Sequence, residues 1–394
     1  GREIWVSTDK PNEVYLLKDI YPGTNNSVNY TFKNASAILN NVLYFVANDG
    51  LSEGEIWKTD GTPEGTVKLT SFLNSNVLKL TSAGNYIYFL IQSGYLLQVW
   101  KSDGTASGTE MVKNDIPIWN NPSYQGKCND IFIFTFQAYG SNNAKVWRSD
   151  GSESGTFPIT VELNGNGAAP VGTSGLTQYI QFNNELYFVA RSFSAYGLNG
   201  VGILKTDGTF ENTSLVKTLA DGHLVDYVDV IENNNKLYFS FFTVDQKSLT
   251  IWECNGTESG TKIIFDESGS RYYMTSNLAK NQNSLLFCGA NQTGGTSLIE
   301  LNLENLTKNT IKELADTTEI PFIFHFGNNL CNIQQISDGK FFISSPFENY
   351  YRKGWVSSLT EATTINLSEM NNISPDVFSF NNSIYFEKYT DSIG

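Results

Sequence analysis

Histidine is almost absent from this chain. The two residues, His223 and His325, lie near no Ser or Cys motif, so a Ser-His-Asp arrangement or a histidine metal site has little material. His223 precedes a strand-like run, and the residues favour an ordinary surface or core histidine there. Arginine is also scarce. Arg2, Arg148, Arg191, Arg271 and Arg352 are scattered along the sequence, which argues against the convergent arginines that sialidase-type propellers set beside a nucleophilic Tyr and paired carboxylates.

Four cysteines, Cys128, Cys254, Cys288 and Cys331, form no CxxC pair and have no His at ligand spacing. A zinc site is therefore not expected; disulfides stay open, and buried free thiols are the simpler reading. Charged residues make up only 17%, too few for a disordered chain. The net charge of −14 repels polyphosphate and excludes nucleic acid as the expected partner. Apolar runs such as Ile131 to Phe136 fall far short of the ~20 residues that cross a bilayer, so no spanning segment is expected.

What is abundant is aromatic and turn-forming. Aromatics reach 13% and glycine numbers 33, while helix-favouring stretches are scarce, which favours short strands joined by tight turns. The segment WKTDGTPEGT (57 to 66) returns as WKSDGTASGT, WRSDGSESGT, LKTDGTFENT and WECNGTESGT. Upstream of each lies an aromatic triplet, and weaker copies follow; its third residue is Phe45, Phe89, Phe134, Phe188, Phe239, Phe287, Ile343 and Phe386, about 49 residues apart. A second series, Trp5, Trp57, Trp100, Trp147, Leu204, Trp252, Glu300 and Trp355, gives the same number of stations.

Each period holds four strand-like runs separated by turn residues, which is the content of a β-propeller blade. The expected fold is therefore all-β: an eight-bladed β-propeller with four antiparallel strands per blade, built as a single domain over 1–394. The chain opens on third- and fourth-strand patterns (REIWVS, VYLLKDI) and ends on first- and second-strand patterns (DVFSF, SIYFE). The eighth blade is accordingly expected from about 1–20 together with 374–394, closing the ring and removing an open sheet edge.

The repeated turn reads as architecture. In Asp60-Gly61-Thr62 the carboxylate accepts the N–H two residues on, the glycine takes a positive φ, and the threonine caps. The same roles fall to Asp103, Gly104 and Thr105, to Asp150 and Gly151, to Asp207 and Gly208, and to Asn255 and Gly256. Asn212, at the place of Gly65, fits a left-handed conformation that Asn tolerates. Asn for Asp at 255, and a single carboxylate per loop, argue against calcium. The tryptophan series is expected to fill the gaps between blades rather than to stack on sugars.

The pattern G-x-E-[IL]-W-x-[ST]-D-G-T-x-x-G-T, with LYF upstream and VKDI downstream, resembles the ELWxxDGTxxGT-repeat, or hyalin-repeat-like, proteins found in many Bacteroidota. The resemblance covers nearly the whole chain. Five repeats match well, and those at Trp5, Glu300 and Trp355 have lost the DGT signature. It implies an exported or cell-surface protein, delivered by type IX secretion in many members and linked in some to adhesion.

The two ends of such a blade differ. First-to-second and third-to-fourth turns are short and uniform, whereas the other connections vary, as in 115–124, 190–200 and 345–355. Variable loops on a rigid scaffold are the usual place for recognition, which singles out Trp119, Tyr124, Tyr139, Tyr196, Tyr350 and Tyr351 as candidate contacts for a protein or glycan; the alternative is that they cap the core. The resulting expectation is a non-catalytic binding or scaffold propeller serving adhesion or envelope assembly, with no cofactor and no metal. The alternative is a polysaccharide-active glycosidase or lyase with its site at the central channel.

Overall fold

The computed structural model describes residues 3–7, 14–28, 35–51, 54–72, 76–118, 124–137, 144–159, 162–163, 166–170, 179–194, 197–220, 225–243, 248–267, 273–274, 276–290, 296–315, 331–337, 339–347, 351–360, 362–366, 373–380 and 383–388. Among them there is no α-helix, and the protein is all-β. Two compact units divide the chain. One comprises Gly1–Pro170, Asn183–Ala195 and Leu204–Leu215; the other comprises Val171–Phe182, Tyr196–Ile203 and Val216–Gly394.

The first unit holds three four-stranded antiparallel sheets whose strands follow chain order. These are Ser36–Leu39, Val42–Ala47, Glu55–Thr59 and Val67–Lys68; then Asn76–Ala83, Tyr86–Ser93, Leu96–Ser102 and Thr109–Pro117; then Tyr124–Cys128, Ile131–Gln137, Ala144–Ser149 and Phe157–Ile159. In the second unit, Val225–Asn233, Lys236–Thr243, Ser248–Cys254 and Lys262–Asp266 form one such sheet, and Asn332–Ser337, Lys340–Phe347, Tyr351–Ser357 and Ile365–Asn366 form another. Between them in sequence, Ser284–Ala290, Thr296–Asn302 and Lys308–Ala315 are edged by two short strands, Tyr273–Met274 and Ala279–Asn281. These meandering sheets are propeller-like.

The register explains the two sequence series. Phe45 lies opposite Trp57, Phe89 opposite Trp100, Phe134 opposite Trp147 and Phe239 opposite Trp252. Facing rings stack, with centroids 6.1 Å apart for Phe89 and Trp100 and 6.0 Å for Phe134 and Trp147. Ile87 to Ile91 are buried without interruption, because a second strand sandwiched between neighbouring sheets has no solvent face. The cores accordingly lie between consecutive sheets. Leu39, Tyr44 and Ile56 pack with Leu80, Ile87 and Phe89, and Leu286, Cys288 and Leu298 pack with Ile333, Phe341 and Ile343.

The short turns take the form that strand twist demands. Asn40-Asn41, Asn183-Asn184 and Asn234-Asn235 carry two positive φ values each, between 49° and 62°, the conformation of two-residue hairpins, in which Asn is favoured.

The expected terminal blade differs from the pairing found. Trp5–Ser7 pairs with Val14–Leu16 and Ile373–Phe380 with Ser383–Lys388, each as a separate two-stranded sheet. One consequence is visible at Trp5. This member of the tryptophan series is 61% exposed, whereas Trp57 and Trp252 are buried; the strand paired with it is Val14–Leu16.

Candidate functional site

The repeated turn is a closed hydrogen-bond unit. Asp60 Oδ1 accepts from the Thr62 N–H and hydroxyl at 2.9 and 2.7 Å, the Thr62 hydroxyl accepts from Gly65 N–H, and the Thr66 hydroxyl donates to the Thr62 carbonyl. The same bonds recur around Asp103, Asp150, Asp207 and Asn255. One member of the motif, the Ser or Thr before the acid, has a role that its sequence pattern does not reveal. The hydroxyl preceding the acid, Thr59, Ser102, Ser149 or Thr206, accepts the Gly N–H and bonds the final Thr hydroxyl of its turn, and Cys254 Sγ takes this place in the fifth copy.

Hydrogen bonds from Thr62 and Thr105 hold the carboxyls of Asp60 and Asp103 below the ordinary range. At Asp150 and Asp207 burial works to raise the pKa, but hydrogen bonds from Ser152 and Thr209 outweigh it and the net direction is down. These acceptors are spent on the turn itself. Among the described residues no three His, Cys, Asp or Glu side chains gather as metal ligands.

The two glycines of the motif are favoured for different reasons. Gly61, Gly104, Gly151, Gly208 and Gly256 have φ between 89° and 97°, a region L-residues enter at a cost. The second glycine is needed for space: a Cβ on Gly65 would sit 2.1 Å from Asp60 Oδ1, and one on Gly108 2.2 Å from Asp103 Oδ1. This corrects the left-handed explanation for Asn212, whose φ is not positive. Asn212 coexists with its aspartate by donating Nδ2 to Asp207 Oδ2 at 2.7 Å.

The copy at Trp355 keeps the turn without the signature. Ser357 and Thr364 hydroxyls bond at 2.7 Å, Thr364 donates to the Thr360 carbonyl, and Leu359 occupies the glycine position with φ 64°. Sequence reading missed it because Leu at that position carries no turn signal.

Consecutive repeats are stitched by side chains reaching one period onward. On the turn face Lys58 Nζ donates to the Gly104 carbonyl and Lys101 Nζ to the Gly151 carbonyl, both at 2.8 Å; Tyr15 and Lys18 do the same toward Gly61 and Thr66. Between first strands, Lys79 Nζ donates to the Gln125 carbonyl at 2.8 Å. Asp229 Oδ2 accepts from Leu278 N–H at 2.5 Å, and Asn277 both accepts from Ile333 N–H and donates to its carbonyl. Burial lowers the Lys79 pKa. Asp229 is the chemically distinctive member: burial pushes its carboxyl up to about 6 against the opposing hydrogen bonds of Leu278 and Val230.

Of the six aromatic candidates, Trp119, Tyr139, Tyr196 and Tyr350 lie outside the described residues. Tyr124 and Tyr351 open the strands Tyr124–Cys128 and Tyr351–Ser357. Among the described residues, what the structure assembles is the turn face and the first-strand stitches.

No family model and no curated protein sequence matches the chain. Solved structures do. A prolyl endopeptidase aligns with 10% identity and a TM-score of 0.45, over 84% of this chain and 48% of its own. Puromycin hydrolase aligns with 10% identity and a TM-score of 0.43, over 77% and 48%, and its S511A mutant complexed with PGG is similar at 9% identity. The chain thus spans about half the length of the solved chains it matches. Those neighbours are enzymes by name, which corrects the expectation of a non-catalytic adhesion or scaffold propeller: four-stranded sheets of this kind do not single out adhesins. Within the described residues no helix is long and apolar enough to cross a membrane. Among the described residues the protein is all-β, with many propeller-like four-stranded antiparallel sheets; the expected four strands do not hold throughout, since the strands within 162–220 join in a sheet of six and those within 273–315 in a sheet of five.

Proposed function

We propose that the chain is an eight-bladed propeller of the ELWxxDGTxxGT-repeat kind, exported or at the cell surface, that selects a polymeric ligand, a protein segment or a glycan, at its variable-connection face. The observation that supports ligand selection is the contrast between the two ends of each sheet. On the DGT face the turns use their own donors and acceptors and bond to the next repeat, leaving little for a partner. The opposite connections differ in length and chemistry from repeat to repeat, as recognition loops on a fixed frame do.

The binding test compares the intact chain with one in which 348–350 is shortened and with Asp60→Ala, on peptide and glycan arrays. The shortened chain is expected to lose binding at least tenfold with its melting curve unchanged, and Asp60→Ala to lose stability but keep affinity. The reverse pattern would refute the assignment of faces.

Closure of the eighth blade is supported by register. Extending the Phe45 and Trp57 pairing to the termini sets Phe386 opposite Trp5 and Tyr385 opposite Val6, which would cover the exposed Trp5 ring. With Val6→Cys and Tyr385→Cys, a disulfide should form in the monomer on oxidation, because cross-strand neighbours lie within bridging reach. Failure to link, or linking only between two chains, would remove closure within one molecule.

A further inference from the structure

We infer that Cys288 and Cys331 form a disulfide that joins two consecutive repeats of the second unit. The two cysteines are 43 residues apart in sequence but share one core cluster with Leu286, Ile333 and Ile343. Ser276 brings them together. Its hydroxyl accepts from Cys288 N–H at 2.7 Å, and its backbone forms a parallel bridge with Cys331. The two thiols hydrogen-bond to each other, whereas Cys128 bonds the carbonyls of Asn184 and Thr206 and Cys254 serves its own turn. All four cysteines are buried and unbridged in the structure; two have carbonyl or turn partners, and the other two share one core cluster.

Burial raises the Cys288 thiol well above its usual range, and the Cys331 thiol adds to this. A thiol held protonated is a poor nucleophile, so the folded reduced protein oxidises slowly and the bond is made during folding. With oxidised glutathione as the oxidant, one cysteine thiolate attacks a glutathione sulfur and releases one reduced glutathione. The second thiolate then displaces the other glutathione. One S–S bond forms within the protein, one is broken in the oxidant, and the two thiol protons end on the two glutathiones. The bond ties the same pair of repeats that Asn277 stitches through Ile333.

The experiment refolds the full chain in a glutathione redox buffer, blocks remaining thiols in denaturant, and counts them by mass. The expected result is two blocked thiols, a cross-linked peptide pair containing Cys288 and Cys331, and a Tm about 5 °C above that of the reduced protein. The variant Cys128→Ala/Cys254→Ser is expected to give the same cross-link; serine at 254 matches Ser102 and Ser149 in the equivalent turns. Four blocked thiols, or a bond made mainly by Cys128 or Cys254, would overturn the inference. So would a linked protein that melts below the reduced one, because the bond would then have formed at the expense of native packing.

Discussion

Gly104→Ala is expected to destabilise the first unit by about 3 kcal/mol, roughly twice the effect of Gly61→Ala. The two glycines have nearly the same backbone, with φ of 93° and 97°, so the conformational cost of about 1–2 kcal/mol is common to both. Their surroundings differ. A Cβ on Gly61 meets nothing within 4 Å, whereas one on Gly104 would lie 2.1 Å from the hydroxyl oxygen of Tyr44, one repeat earlier. Tyr44 is buried, and burial, followed by the charge of Asp103, raises its phenol pKa. The ring cannot swing to solvent, and overpacking of this kind costs about 1–3 kcal/mol. Tyr44→Phe removes the offending oxygen and leaves the nearest ring carbon 3.1 Å away. In the double variant about half of the loss should return. Urea unfolding of the four proteins checks this; equal losses at 61 and 104, or no rescue by Tyr44→Phe, would show that the Tyr-to-turn contact does not join the repeats.

Asp229→Asn is expected to stabilise the protein at pH 8 and to destabilise it slightly at pH 4. The folded-state pKa of Asp229 is raised to about 6 from an ordinary 3.8, so the folded form binds the proton more tightly than the unfolded chain. Stability from this group is therefore full below about pH 4, falls as pH rises toward 6, and stays low above it. The shift corresponds to about 3 kcal/mol. Asparagine removes the charge and keeps one acceptor oxygen for Leu278 N–H, while the hydrogen bond from Val230 is weakened, at a cost of roughly 1 kcal/mol. A net gain of about 2 kcal/mol at pH 8 should show in denaturant midpoints. Parallel pH profiles for the two proteins would mean that the carboxyl titrates as an exposed one does.

Much of the fold could be read from residues alone because its signals are local. Asp60, Gly61, Thr62, Gly65 and Thr66 satisfy one another within a span of seven residues, so composition and spacing reveal the turn. The Phe and Trp stations are adjacent across one hairpin and recur with the period, which reveals the sheets. The candidate site was less legible. Its aromatic members were chosen from loop variability, which says where recognition residues gather but not which side chains converge. The adhesion reading came from a resemblance rather than from a site.

By itself, then, the sequence determined the all-β class, the repeat of about 49 residues, the four-strand meander and the chemistry of each turn, since all of these depend on contacts a few residues apart. Only the tertiary structure decided which side chains meet across neighbouring sheets: Tyr44 over Gly104, Asp229 against Leu278, Cys288 beside Cys331, and Leu359 in a glycine's place. Those pairs depend on how one repeat packs on the next, and no local periodicity carries that information because either face of a strand buried on both sides could have met its neighbour.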